Sequence, residues 1–412
     1  MKFLNMHNPG LDSKVLEQQL QAITNITRYH YIPLPNLRRL SITFDITLAT
    51  AKILGDTLFR SPHLQEFWMA TCESPLIGLI LSSLAVRHPE IPVIEVYSWP
   101  ALPSGLISSF KNLRQFKTST TLPPDEMYYL SGLDTLRKLR TNLPPTHRLD
   151  QIVCLSNAFS GLIELDLFLN QNVATLSSFL AAISSRTLER VQISFDEPEF
   201  LIAAYINDIL ETISKFTALR HLSLRGTHDG EVDVEGTFNI RPLLRLRELK
   251  VLDIRLGLLC SAFTDESIAE FGRAWPDLEA LIYEQTVFPI LPGTLTLNAL
   301  PQCAHHLPRL VELVVDLDAA VAPEPLPSPV SDKPVEFDLT GSIVDHDNCA
   351  QVAAYIASVY PGAKIRVNSD AIASAETLYW THLSSMLPLI AKMQVENRQL
   401  KAALDRDVEM SE

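Results

Sequence analysis

Glycine is scarce in this chain, 14 residues in 412, and no Gly-rich phosphate-cradling loop is present. Cysteine is scarcer still. The five (Cys72, Cys154, Cys260, Cys303, Cys349) are odd in number, scattered and never in a Cys-x-x-Cys pair. That excludes a disulfide or zinc framework and fits reduced thiols in an intracellular protein, cytoplasmic or nuclear. Long apolar runs are missing too: Leu76–Val86 is broken by Ser82 and Ser83, short of the roughly eighteen residues a membrane helix needs. Met1–Pro9 has no sustained apolar core and does not read as a secretory signal. Only 20% of residues are charged, whereas 47% are apolar, which excludes an intrinsically disordered chain.

Catalytic signatures are absent as well. There is no G-x-S-x-G elbow and no H-E-x-x-H pair. Cys303, His305 and His306 cannot share one helical face and have no fourth ligand nearby, so they do not read as a metal site. Asp229, Glu231, Asp233 and Glu235 alternate like calcium ligands, but Val234 stands where a calcium loop needs glycine and Ile240 where it needs Glu. The expectation is a non-enzyme with no cofactor and no metal. The net charge of −14 argues against nucleic-acid or membrane partners. It is unevenly spread: +3 over residues 1–150, −11 over 151–318 and −6 over 319–412.

What the chain does have is a repeat. The phrase apolar-x-x-apolar-x-apolar begins at Leu37, Leu64, Ile91, Leu113, Leu136, Leu162, Leu188, Leu219, Leu249, Leu278 and Leu310, in steps of 22 to 32 residues. Positions four and six of each copy share a face, as a strand requires. So short a strand must stack on the next copy. The intervening segments are long enough for the crossover helices that parallel strands need. Ile202, Ile206, Ile209 and Ile213, after Asp196-Glu197-Pro198, predict one such helix, and Thr264-Asp265-Glu266 predicts the cap of another carrying Ile268, Phe271 and Trp275. A strand and a helix per unit define an α/β leucine-rich-repeat solenoid, right-handed and ribonuclease-inhibitor-like, a horseshoe with its parallel sheet on the concave face and helices outside. The usual Asn after the strand is mostly missing, Asn170 being the best candidate.

The repeats span residues 34–318 behind an N-terminal cap segment at 1–33. A Pro-rich stretch at 319–334 reads as a flexible insertion, a loop between repeats or else a ligand for a proline-recognising domain. Residues 335–367 read as a terminal divergent repeat. A C-terminal helix at 376–404 follows, with a heptad seam at Leu383, Met386, Ile390, Met393, Asn397, Leu400 and Leu404. Pro388 should kink it, which leaves a short coiled coil able to support a weak homodimer, or a tail packed on the last repeat.

On a solenoid sheet the variable positions three, five and seven face inward. The expected partner-binding residues are Trp68, Glu95, Tyr97, Trp99, Lys117, Lys138, Arg140, Asp166, Arg190, His221, Arg225 and Arg255, with Glu164, Phe168, Asp253, Glu284, Glu312 and Asp316 on the same face. An aromatic cluster beside a basic stripe suggests an anchor for a protein, surrounded by steering charge.

The spelling P-x-L-x-x-L-x-I at Pro35–Ile42, with Pro276-Asp-Leu278-Glu-Ala-Leu281 and Pro308-Arg-Leu310-Val-Glu-Leu313, resembles the repeats of fungal F-box/leucine-rich-repeat proteins over residues 30 to 367. That resemblance implies a substrate receptor of a cullin-type ubiquitin ligase whose repeats hold the target. The family's helical F-box has no match in these residues. A stand-alone inhibitor or assembly factor unconnected to ubiquitin is the alternative expectation.

Overall fold

The computed structural model describes residues 3–6, 34–43, 58–70, 74–97, 104–143, 157–169, 173–196, 202–226, 236–261, 263–284, 295–339, 341–367 and 375–409, with positions 18, 48, 51, 54, 55 and 102. The chain divides into two compact units, Met1–Asp196 and Glu197–Glu412.

In the first unit, β1 (Phe3–Met6), β2 (Arg39–Ile42), β3 (Glu66–Ala70), β4 (Val93–Tyr97), β5 (Gln115–Thr121), β6 (Lys138–Asn142), β7 (Glu164–Leu169) and β8 (Arg190–Phe195) pair parallel in sequence order. In the second, β9 (His221–Gly226), β11 (Val251–Arg255), β13 (Ala280–Glu284), β14 (Glu312–Val315), β16 (Glu336–Asp338) and β18 (Lys364–Arg366) do the same. Beside them β10 (Thr237–Phe238) pairs with β12 (Leu259–Cys260), and β15 (Asp318–Ala319) with β17 (Ile343–Val344). All eleven copies of the phrase are strands, each beginning at its third residue. The fold is an α/β leucine-rich-repeat solenoid.

The register has a recurrent cause. The carbonyl at the second position of a copy accepts the N–H groups of positions two and three of the next. Arg38 O takes Gln65 N and Glu66 N at 2.8 and 2.9 Å, and Arg114 O takes Arg137 N and Lys138 N at 2.7 and 3.0 Å. Arg137, Ile163, Arg220, Lys250 and Glu279 repeat the arrangement. Ahead of the strand, the N–H of Leu162, Leu219, Leu249, Leu278 and Leu310 closes a turn onto the carbonyl three residues back. The residues supplying those carbonyls, Phe159, Phe216, Leu246, Trp275 and Leu307, are buried. Where that place is polar the hydroxyl is used instead: Ser61 Oγ donates to Leu37 O at 3.0 Å and Ser185 Oγ to Leu162 O at 2.6 Å. Positions one, four and six fill the core, including Leu40, Leu165, Leu222, Leu252 and Leu313.

Helices α1 (Ser74–Arg87), α2 (Pro124–Ser131), α3 (Val173–Ala182), α4 (Ala203–Ile213), α5 (Ser267–Ala274), α6 (Ala299–His306) and α7 (Cys349–Val359) form the connections, and α8 (Ala375–Glu409) ends the chain. The α4 helix starts later than the Asp196-Glu197-Pro198 signal predicts: Ile202 lies ahead of it and is exposed, while Ile206, Ile209 and Ile213 are buried. Asp265 does not cap α5. Its carboxylate instead accepts from Thr296 N at 2.8 Å and Thr296 Oγ1 at 2.6 Å, tying one repeat to the next. Glu126 of α2 is buried because its carboxylate accepts the N–H groups of Leu106, Ile107 and Ser108. Three amides that would otherwise lack partners are satisfied by one side chain.

The Pro-rich stretch is tied to α7: Leu326 N donates to Ser358 Oγ at 2.9 Å, and Val330 N and Ser331 N to Val359 O at 3.2 and 3.1 Å. Residues 335–367 hold three strands, β16 and β17 before α7 and β18 after it. The α8 helix continues through Pro388. Its buried face is Trp380, Leu383, Leu387 and Ala391, with Trp380 Nε1 donating to Ser342 O at 3.0 Å. Asn170 and the 229–235 segment fall outside the described residues.

Leu222→Ala should cost about 2–5 kcal/mol, because a wholly buried strand side chain leaves a cavity that its neighbours cannot close. Gly272→Ala adds only a methyl, yet its Cβ would stand 2.3 Å from His306 O. Backbone must move, so a loss of about 1–3 kcal/mol is expected. Chemical denaturation of both variants checks these values; an unchanged midpoint for either would contradict the packing described.

Candidate protein-interaction site

The register places inner-face residues of neighbouring strands side by side. In the first unit Trp68, Glu95, Lys117, Arg140, Asp166 and Gln192 form one row across six strands. Two residues further along, Ala70 pairs with Tyr97, and Asn142 with Phe168. Strand spacing of about 4.8 Å brings each pair within side-chain reach.

Aromatic side chains and one guanidinium make a continuous strip here. The Trp68 and Tyr97 rings are 6.0 Å apart and tilted by 55°. Arg140 Cζ lies 5.8 Å from the Tyr97 centroid and 4.7 Å from that of Phe168, within cation–π range on both sides. All four side chains are half-buried, so their outer faces remain open.

The basic stripe expected from the sequence is not a free one. Lys117 Nζ is 3.3 Å from Glu95 Oε1, Lys138 Nζ 2.8 Å from Glu164 Oε1, and Arg140 Nε 3.3 Å from Asp166 Oδ2. Acidic residues occupy the same ladder positions one strand away, which neutralises each cation locally. Glu95 also accepts from Gln115 Nε2 at 2.5 Å and from the Tyr97 hydroxyl at 3.4 Å. Burial, followed by the adjacent Glu95 charge, pushes the Tyr97 hydroxyl above its ordinary pKa. Burial likewise raises the Asp166 carboxyl, outweighing the opposite pull of Arg140 and Lys117. Asp166 Oδ1 and Arg140 Nε are buried without a hydrogen-bond partner.

Arg190 is exposed at the start of β8. Trp99 lies outside the described residues. A cleft of about 770 Å³ in the same unit, among Pro62, Arg87, Pro89, Pro92 and Arg114, contains none of the residues expected to bind.

The second unit uses its inner face differently. Asp253 is buried, and its carboxylate accepts from Ser223 Oγ at 3.1 Å, Arg225 Nε at 2.9 Å and Arg255 Nε at 2.9 Å. Arg255 Nη1 continues to Glu284 Oε1 at 2.8 Å. Burial raises the Glu284 carboxyl against the pull of Arg255. His221 shares a row with Val251, Ala280 and Glu312. On the row of Asp253, Ile282 and Val314 are buried as well, and Asp316, expected on the open face, is packed against Gly341. Arg225 and Arg255 are therefore brought together, but by a buried carboxylate that already engages them.

Phe168, placed on this face by its seventh position, joins Trp68 and Tyr97 through Arg140. Among the described residues no group of three or more His, Cys, Asp and Glu could hold a metal ion. Cys303 is buried, which pushes its thiol up to about 12. No described helix is long and apolar enough to cross a membrane.

Fold and inner face together define a leucine-rich-repeat protein of the kind that presents a variable sheet surface. No family model matches the chain, and no curated protein matches it. Solved structures that it is similar to include Rad7 and Elc1 in complex from yeast, at 17% identity over 89% of this chain and 86% of that chain, with a TM-score of 0.42. A Bacteroides fragilis protein matches at 15% identity over 68% of this chain and 75% of that chain, TM-score 0.41. At these scores neither likeness carries an argument about function.

The raised Asp166 carboxyl makes a signed prediction. An acid whose pKa rises on folding contributes stability in full below the ordinary carboxylate range and loses it as pH climbs through the raised value. Asp166→Asn cannot ionise, so its melting temperature relative to the unsubstituted protein should increase between about pH 4 and about pH 7. Thermal scans across that range check it; a difference that stays flat or falls would contradict the burial of this carboxylate.

Proposed function

We propose that the chain is a non-enzymatic protein-interaction scaffold whose partner docks on the inner face of the first unit. The observation that carries this reading is the Trp68–Tyr97–Arg140–Phe168 strip, half-open on a surface whose charges are already paired. Tyr, Trp and Arg are the side chains that dominate binding energy at interfaces, and a neutralised surround is cheaper to desolvate than a free charge stripe. Recognition on this face rests on ring stacking and shape, with little long-range steering by Lys117, Lys138 or Arg140.

The resemblance of the repeats to F-box/leucine-rich-repeat proteins supports the narrower reading of a ubiquitin-ligase substrate receptor. Native co-purification distinguishes the two readings. Recovery of a Skp-type adaptor or a cullin supports the receptor; a defined partner recovered without either supports a stand-alone inhibitor or assembly factor.

Whichever partner is recovered, Trp68→Ala and Tyr97→Ala should each weaken its binding by about 2 kcal/mol, some thirtyfold in dissociation constant, with the melting temperature nearly unchanged. Calorimetric titration beside thermal scans checks both. Variants that bind normally would place the docking site elsewhere, and variants that unfold would return these rings to the core.

A further inference from the structure

The first half of α8 is spent on packing: Trp380, Leu383, Leu387 and Ala391 are buried, and among the described residues the last hydrogen bond to α7 is Gln394 Nε2 donating to Ala354 O at 2.9 Å. Beyond it the helix runs on to Glu409 with a different apolar face uncovered. Met393, Leu400 and Leu404 are 60%, 68% and 68% exposed, and with the exposed Asn397 they fall at spacings of 4, 3 and 4. That is the core seam of a coiled coil, with Asn397 and Leu404 at its first heptad position and Met393 and Leu400 at its fourth.

We propose that this seam pairs with the same seam of a second copy, as a short parallel two-stranded coiled coil over residues 393–404. Three features select that occupant. Residues flanking the seam are Glu396 before Asn397 and Lys401 five positions later, the separation at which flanking residues of parallel partners meet with opposite charge. Glu396 already lies 3.9 Å from Lys392 of its own helix, so it is bracketed by cations rather than repelled from the seam. Asn397 stands opposite Asn397 only in a parallel, in-register pair, where the two amides bond to each other. An antiparallel pair would set Asn397 against Leu400 and leave Glu396 and Lys401 without opposite charges. The seam is thus self-complementary in apolar contact, amide and charge. It is under two heptads long, so association is weak and concentration-dependent.

Sedimentation equilibrium of the full chain between about 1 and about 100 µM tests this. The expected result is a monomer–dimer equilibrium. Leu400→Asp with Leu404→Asp should weaken it at least about tenfold at unchanged melting temperature, since both side chains are exposed. Glu396→Lys should weaken it several-fold, and adding Lys401→Glu should restore it. A chain monomeric throughout would overturn the proposal, including one whose seam instead takes up a helix of another protein. So would a dimer indifferent to the paired Asp substitutions, or one that the double charge reversal fails to restore.

Discussion

In most copies the carbonyl at the second position accepts two N–H groups from the next copy, and so fixes where that strand begins relative to its neighbour. A parallel strand of four to seven residues cannot satisfy its own backbone, and an unpaired amide in this packed setting would cost more than a kilocalorie. Sharing one acceptor between two donors pins the strand start, and the regular ladder follows. A slip of one residue would turn Leu222 and Leu224 outward and bring His221 and Ser223 into the core. The fork also explains the tolerance of proline at Pro92: it supplies the acceptor for Arg114 N and Lys111 draws on Pro89 O, although neither proline has a donor to give.

The same register organises the inner face. Because equivalent positions lie one strand apart, a charge at position three or five sees the residue at that position in the neighbouring copies before it sees solvent. Glu95 with Lys117, Arg140 with Asp166, and Lys138 with Glu164 are all cross-strand pairs of this kind. Half-exposed pairs contribute little to stability. Their larger consequence is electrostatic: a face that looks basic when the copies are read one at a time is locally neutral once they are aligned. Asp253 shows the other limit, where burial converts a cross-strand carboxylate into a hub that fixes two arginines.

The strands were legible in the sequence because the phrase repeats the requirement of period two, with apolar residues at places the register must bury. What lay between copies was less legible for a physical reason. Helix α4 begins at Ala203 because its first turn is set by tertiary packing of Ile206, Ile209 and Ile213, not by the Asp196-Glu197-Pro198 signal. Asp265 looks like a cap, but serves Thr296 of the following unit. Strand β1 has no full copy of the phrase and exists by pairing with β2, which makes it invisible to periodicity. The inner face was legible as a set of positions; which members touch was not, since ion pairing and ring contact depend on register between copies rather than on spacing within one.

Exposure separates the two inner faces better than hydrophobicity does. Ile282 and Val314 are as apolar as Trp68 and occupy the same fifth position of their copies, yet they are buried and contribute to the packing of their own unit. Trp68, Tyr97 and Phe168 are held at one edge by a neighbouring ring or guanidinium and left open at the other. The tilted Trp68–Tyr97 contact, and Arg140 lying against Tyr97 and Phe168, restrain these rotamers in the free chain, so less side-chain entropy would be lost on docking than for isolated surface aromatics. Leaving several large rings half in water is unfavourable for the free chain, and three of them on one face form a patch of the sort that monomeric proteins keep small. A partner that covers them removes that apolar area from water without having to break the ion pairs beside it, because those pairs are closed within the sheet.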